Sequence, residues 1–156
     1  MKIIATNKKA HFEYTILDTY EAGIALEGWE VKSARAGNVS LAESFVLVRI
    51  EKSSGAMSVI LKNAHIAGYP YATITQQNER RDRALLLSSA EIQKIANAVQ
   101  IKGQTAIITK IYLNNRGLIK AELAVAKGKH TYDKKETIKQ RDIERETART
   151  LKNLNK

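Results

Sequence analysis

The sequence predicts a mainly β protein: a small closed antiparallel β-barrel of about six strands, short peripheral helices, and a basic C-terminal tail. Three observations lead there. Short runs of β-like pattern recur between His11 and Ala126, separated by Gly-, Asn- and Ser-containing turns. Closing such short strands into a barrel removes exposed sheet edges, although an open α+β sandwich is the second architecture the pattern allows. The last thirty residues, Lys127 to Lys156, have only Ile138, Ile143, Leu151 and Leu154 as large aliphatics, too few to offset the entropy of ordering a free segment. The chain therefore divides into a barrel over 1–126 and a tail over 127–156, disordered in solution.

The elements follow in order. His11 to Asp18 alternates Phe12, Tyr14 and Ile16 with Glu13 and Thr15, the pattern of a half-buried strand. Tyr20-Glu21-Ala22-Gly23 reads as a turn, and Gly23 to Glu27 as its return strand. Trp29 to Ala36 reads as one or two helical turns closed by Gly37-Asn38. Phe45 to Glu51, rich in β-branched and aromatic residues, is a strand; Lys52-Ser53-Ser54-Gly55 turns it back into Ser58 to Asn63. Pro70 and the stretch Thr73 to Arg83 form a long polar connection. Leu85-Leu86-Leu87 restarts the core. Ser88 or Ser89 caps a helix through Val99, whose Ile92, Ile95, Ala96 and Val99 make one apolar stripe; Gly103 ends that segment. Thr105 to Leu113 and Leu118 to Ala126 are two further strands around the Asn114-Asn115-Arg116-Gly117 turn.

Charge narrows the class of partner. The 156 residues carry a net charge of +10, and the tail, with ten Lys/Arg against five Asp/Glu, holds half of it in a fifth of the chain. A sequence pI near 9.8 points to nucleic acid or an anionic membrane surface. The tail has no Trp or Phe to anchor an amphipathic helix in lipid, which favours nucleic acid. No run approaches the roughly 18 to 20 apolar residues that cross a bilayer. Met1-Lys2-Ile3-Ile4 is too short an apolar stretch for a secretory signal, and there is no cysteine. The expected location is the cytoplasm.

Catalytic patterns are missing. His11, His65 and His130 share no metal-ligand spacing, and neither a Gly-x-x-x-x-Gly-Lys-Ser/Thr loop nor a Gly-x-Ser-x-Gly elbow occurs. Glu27 and Glu30 read as solvated carboxylates, or as partners for Lys32 and Arg35. The expectation is binding rather than catalysis, without metal or cofactor.

Binding residues are easier to nominate. Arg80-Arg81-Asp82-Arg83 forms a basic patch on the long connection, while Lys8-Lys9, Lys120, Lys127 and Lys129 place cations at strand ends. Gly128, between two lysines, lets backbone and cations approach a phosphate together. Tyr132 is the one aromatic of the tail, suited to stacking on an unpaired base. Arg141, Arg145 and Arg149 recur at i, i+4, i+8 on one helical face, where mutual repulsion costs a few tenths of a kcal/mol per pair. Such a helix is marginal alone and favoured once phosphates neutralise it.

Three blocks carry a resemblance to a known family. The first runs Asn7-Lys8-Lys9-Ala10, then Tyr20-Glu21-Ala22-Gly23-Ile24-Ala25-Leu26-Glu27-Gly28-Trp29-Glu30-Val31-Lys32-Ser33-Ala34-Arg35-Ala36-Gly37. The second is Arg81-Asp82-Arg83-Ala84-Leu85-Leu86-Leu87, followed by the helix containing Glu91-Ile92. The third is Ala126-Lys127-Gly128-Lys129-His130-Thr131-Tyr132-Asp133-Lys134-Lys135. In order and spacing, over nearly the whole chain, these resemble SmpB, the SsrA (tmRNA)-binding protein family of bacterial trans-translation.

The resemblance implies an OB-fold-like barrel that binds the tRNA-like domain of tmRNA and delivers it to stalled ribosomes, with elongation factor Tu in the delivery complex. It also implies that the tail enters the vacant mRNA channel near the decoding centre and becomes helical there. By position, Glu21 and Leu86 match one part of the family's RNA-contact surface, and Asn7 and Lys120 match others. Lys8, Arg83, Lys127 and Lys129 complete the expected RNA-binding set. Gly128, Tyr132, Asp133, Lys134 and Lys135 fall on the tail motif, joined by Arg141, Arg145 and Arg149 for the ribosome. Two departures stand out: Ala84 replaces the usual basic residue before the leucine triplet, and Lys135 the usual Arg, keeping charge but losing a bidentate grip. The alternatives are an RNA-processing enzyme that holds its substrate on a small barrel, and a single-strand RNA chaperone.

Overall fold

Residues 1–71 and 78–128 are described by a computed structural model of the chain. Nine strands and three helices occur among them: β1 (Lys2–Thr6), α1 (Ala10–Glu13), β2 (Tyr14–Ile24), α2 (Gly28–Arg35), β3 (Val39–Ser40), β4 (Phe45–Ile50), β5 (Met57–Lys62), β6 (His65–Ile66), β7 (Arg83–Leu86), α3 (Ser89–Val99), β8 (Gln104–Leu113) and β9 (Ile119–Gly128). Seven strands form one antiparallel sheet in the order β1-β8-β9-β2-β7-β5-β4, and β3 pairs with β6 as a separate ribbon.

The mainly β, antiparallel architecture with short helices stands, but the closed barrel does not. Strands β1 and β4 are the two ends of the sheet, and no hydrogen-bonded pairing joins them among the described residues. The sheet curls, bringing β4 against β8, while β3 lies beside β1 and spends its pairing on β6. Side-chain packing therefore fills the gap that backbone pairing would have closed. Ala22, Leu41, Val59, Leu61, Leu85, Ile108 and Leu123 occupy the inside of the curl, with Ile95 of α3 buried among them.

The predicted turn over Tyr20–Gly23 is replaced by uninterrupted strand. In β2, Glu21 pairs with Glu122, Ala22 with Ala121 and Gly23 with Lys120. The period-2 alternation in fact runs straight through this segment: Ala22 faces the core while Glu21 faces out. Gly23 serves a close approach rather than a turn, since a Cβ there would lie 3.2 Å from Cβ of Leu86. Irregularity falls instead at Leu17, where the register shifts between Ile16 and Asp18.

Other boundaries move less. Residues 10–13 form a helical turn rather than the start of a strand. The short N-terminal strand β1 pairs antiparallel with β8. Helix α3 begins at the predicted cap: Ser88 Oγ accepts from the Glu91 amide at 3.2 Å, and Glu91 Oε1 accepts from the Ser88 amide at 3.1 Å. Strand β9 continues through Lys127 to Gly128, whose amide donates to the Gly103 carbonyl at 3.2 Å. Lys127 and Gly128 are therefore sheet residues, and the expected division after Ala126 falls inside a strand.

Candidate nucleic-acid interface

Alternation along β8, β9, β2 and β7 gives this part of the sheet a buried inner face and an outer face with two halves. One half is roofed: Ala10 of α1 packs with Ile107, Ala124 and Ala126, flanked by Tyr14 and Ile16. The other half is open and carries two neighbouring cross-strand rows. Lys110, Glu122 and Glu21 form the first; Tyr112, Lys120, Gly23 and Leu86 form the second. Three residues nominated from sequence, Glu21, Leu86 and Lys120, thus meet on one surface although 99 positions separate Glu21 from Lys120. Leu86 is 58% exposed, whereas its neighbour Leu85 is in the core.

Glu21 and Glu122 face each other directly, an arrangement that repels. Hydroxyl donors relieve it. Tyr112 Oη donates to Glu21 Oε2, and Thr109 Oγ1 donates to Glu122 Oε2. Burial, then the Glu21 hydrogen bond and the two carboxylate charges, raise the Tyr112 phenol above its ordinary value, so it remains a donor. Lys110 Nζ stands 5.7 Å from the Tyr112 ring centroid. Glu21 is consequently held in place as a hydrogen-bond acceptor, suited to ribose 2′-OH or base N–H groups. Tyr112, Thr109, Glu122 and Lys110 were missed by sequence reasoning. Alternation in β8 puts Lys110 and Tyr112 on one face, but only cross-strand register shows what they meet.

Asn7 and Lys8 stand at the β1 side of the sheet, away from the Lys120–Leu86 row. The Asn7 amide donates to Thr109 O at 2.8 Å, and its Nδ2 donates to Ile108 O at 3.2 Å. With Lys9 they line a groove of about 320 Å³ against Val39–Ala42. Lys127 is exposed near the end of β9, beside Gly103. Lys129, Tyr132, Asp133, Lys134, Lys135, Arg141, Arg145 and Arg149 lie outside the described residues.

Arg83 requires correction as an RNA contact. Its side chain is fully buried; Nε meets Glu30 Oε2 at 2.5 Å, Nη1 donates to Ala64 O at 2.7 Å, and Nη2 donates to Glu79 O at 3.1 Å. Glu30 is likewise wholly buried rather than solvated, and it accepts from Arg81 Nη2 as well. Burial alone would raise the Glu30 carboxyl; hydrogen bonds from Arg81, the Glu27 amide and Arg83 outweigh that and hold it below the usual range. The rest of the Arg80–Arg83 patch is also engaged, with Arg80 3.7 Å from Glu43 and Arg81 Nε 3.7 Å from Glu27. Arg81 and Arg83 tie β7 and the preceding loop to α2, whereas Arg80 reaches Glu43 and Asn63. Arg81 and Arg83 therefore leave little positive charge free for phosphate, while Arg80 stays half-exposed.

Fold and surface together define a small antiparallel β protein that offers one open face of cations, a fixed carboxylate and exposed leucine. The family model described as SmpB protein matches residues 4–153. An SsrA-binding protein of Thermosipho melanesiensis is 49% identical over 97% of this chain and 99% of its own length. Another, from Persephonella marina, is 47% identical over 97% of this chain and 95% of its own. A chain from the solved structure "tmRNA-SmpB: a journey to the center of the bacterial ribosome" is similar with a TM-score of 0.64 and 41% identity, covering 85% of this chain and 92% of that one. The chain belongs to the SmpB family.

Proposed function

We propose that this protein binds the tRNA-like domain of tmRNA through the open half of its sheet and brings that RNA to stalled ribosomes in trans-translation. The observation that carries this reading is the convergence of Glu21, Leu86 and Lys120 in adjoining rows of one face. Family membership gives the RNA its identity, through relatives named for SsrA binding and a similar chain described with tmRNA at the ribosome. The chemistry fits a folded RNA elbow: Lys120 for phosphate, the fixed Glu21 carboxylate for 2′-OH or base donors, and Leu86 against a base or sugar.

The tail supplies the second half of the mechanism. Its cations compete with mRNA for the same polyanionic channel, so an empty channel lets Arg141, Arg145 and Arg149 form their helical row, with Tyr132 to Lys135 near the decoding centre. An occupied channel leaves the ordering cost uncompensated, and accommodation fails. The delivery complex includes elongation factor Tu, and the site of action is the cytoplasm. Replacing Lys120 by Glu and Leu86 by Asp, singly, tests the face. Each should weaken binding of the full chain to the tRNA-like domain by tenfold or more, because both lie in the proposed contact. Unchanged affinity in both, with native melting curves, would place the interface elsewhere.

A further inference from the structure

A groove opens beside the Leu86–Lys120 row and has no assigned role. It is about 310 Å³ in volume. Val31 and Arg35, one helical turn apart on α2, form one wall, and Leu118 and Lys120, flanking the start of β9, form the other. Ile24, Leu26 and Leu86 supply apolar lining, and Gly23 leaves Leu86 room to lie across β2.

The lining has a definite chemical character. It contains two cations, Arg35 and Lys120, and no carboxylate. One Arg35 Nη2 donates to Gly117 O at 3.2 Å, which fixes the guanidinium at the rim. Lys120 has no carboxylate within 4.0 Å among the described residues, although it stands on a strand next to Glu122. Leu118 is 53% exposed at the mouth. Apolar walls with cations only at the rim suit a flat, largely apolar group that is flanked by anions. An unstacked nucleobase with a phosphate on either side has that form.

We infer that the groove receives one extruded nucleobase of the bound RNA, with Arg35 and Lys120 taking the flanking phosphates. The inference rests on the proposed RNA reading and deepens it: Arg35, Val31 and Leu118 become RNA-contacting residues, and recognition includes an unpaired base beside the folded elbow. The groove's volume of about 310 Å³ is ample for one base, and its lack of side-chain acceptors predicts selection by shape more than by base identity.

The test is methyl NMR of the full chain bound to the tRNA-like domain, compared with a blunt, fully paired RNA duplex. A base seated in the groove shifts the methyl groups of Val31, Leu86 and Leu118 upfield through its ring current, which a phosphate contact cannot do. The expected result is that shift with the tRNA-like domain and its absence with the duplex. Exposed Arg35, replaced by Gln, should weaken binding roughly tenfold, lower the salt slope by about one, and remove the shift. Tight binding without an upfield shift overturns the base site while leaving the RNA reading intact. No binding to the tRNA-like domain overturns both, and upfield shifts produced only by an aromatic acidic peptide would assign the groove to a protein ligand instead.

Discussion

Replacing Tyr112 by Phe removes one oxygen and leaves the ring, so it isolates the hydrogen bond that holds Glu21. The structure makes that bond charge-assisted and places Glu21 opposite Glu122. A hydrogen bond to a charged acceptor contributes about 1.5–3 kcal/mol. Glu21 is exposed and water can replace the lost donor, so the lower part of that range applies: about 1.5–2 kcal/mol at pH 7, or roughly 3–8 °C in Tm. The pH dependence gives a sharper signature. The folded Tyr112 pKa is raised, so the fold favours the neutral phenol, and the associated stability is complete below the unfolded value near 10.0. Above that pH the unfolded chain releases the proton first, and the advantage falls by about 1.4 kcal/mol per pH unit. Urea unfolding of wild type and Tyr112→Phe at pH 7, 9, 10.5 and 11 should therefore show a constant difference up to pH 9 and a narrowing difference beyond. A difference that stays constant through pH 11, or none at pH 7, would refute the account of this network. For RNA, the substitution should weaken binding to the tRNA-like domain in the wild-type background and have little effect when Glu21 is already Gln.

Further outcomes concern other parts of the molecule. Glu30→Gln leaves the buried Arg83 guanidinium without its counter-charge and should cost about 3–5 kcal/mol in urea unfolding. Because the folded Glu30 pKa is depressed, its contribution is present above the unfolded value of 4.5 and lost as pH falls through the lower folded value; the variant should lack that acid-side slope. Arg83→Met should alter stability while leaving the salt slope of RNA binding unchanged, whereas Lys120→Met should reduce that slope by about one. Deleting Thr137 to Lys156 should abolish peptide tagging on stalled ribosomes and leave affinity for tmRNA nearly intact; a large affinity loss contradicts the division of labour between sheet and tail.

Local pattern made much of the fold readable. The hairpins of β4–β5 and β8–β9, the stripe of α3 and its Ser88 cap depend on neighbours within a few residues. β2 was misread because Glu21 and Gly23 suit a turn locally, while the partner that keeps them extended, β9, lies about a hundred residues away. Strand count suggested closure, but whether end strands pair is decided by curl and by β3 joining β6, which no local pattern encodes. The site divides in the same way. Glu21, Leu86 and Lys120 were reachable through family blocks, whereas Arg83 was misjudged because charge alone does not show burial. A signal did exist for Glu30. It follows Trp29 on the side of α2 that also buries Ser33 and Ala34, so a carboxylate there needed a buried cation. The Tyr112–Glu21 contact links β8 to β2 across an intervening strand and had no sequence signature.

The central claim is selective recognition of a folded tRNA-like elbow. It is tested most directly by titrating the full chain against the tRNA-like domain of tmRNA, ordinary tRNA and an unpaired RNA of equal length, at two or more salt concentrations. Phosphate contacts weaken together as salt rises, so selectivity that persists at the higher salt reports shape and 2′-OH readout. The account predicts that preference for the tRNA-like domain survives. Equal affinities that collapse in parallel would contradict it and leave only a basic protein that coats RNA.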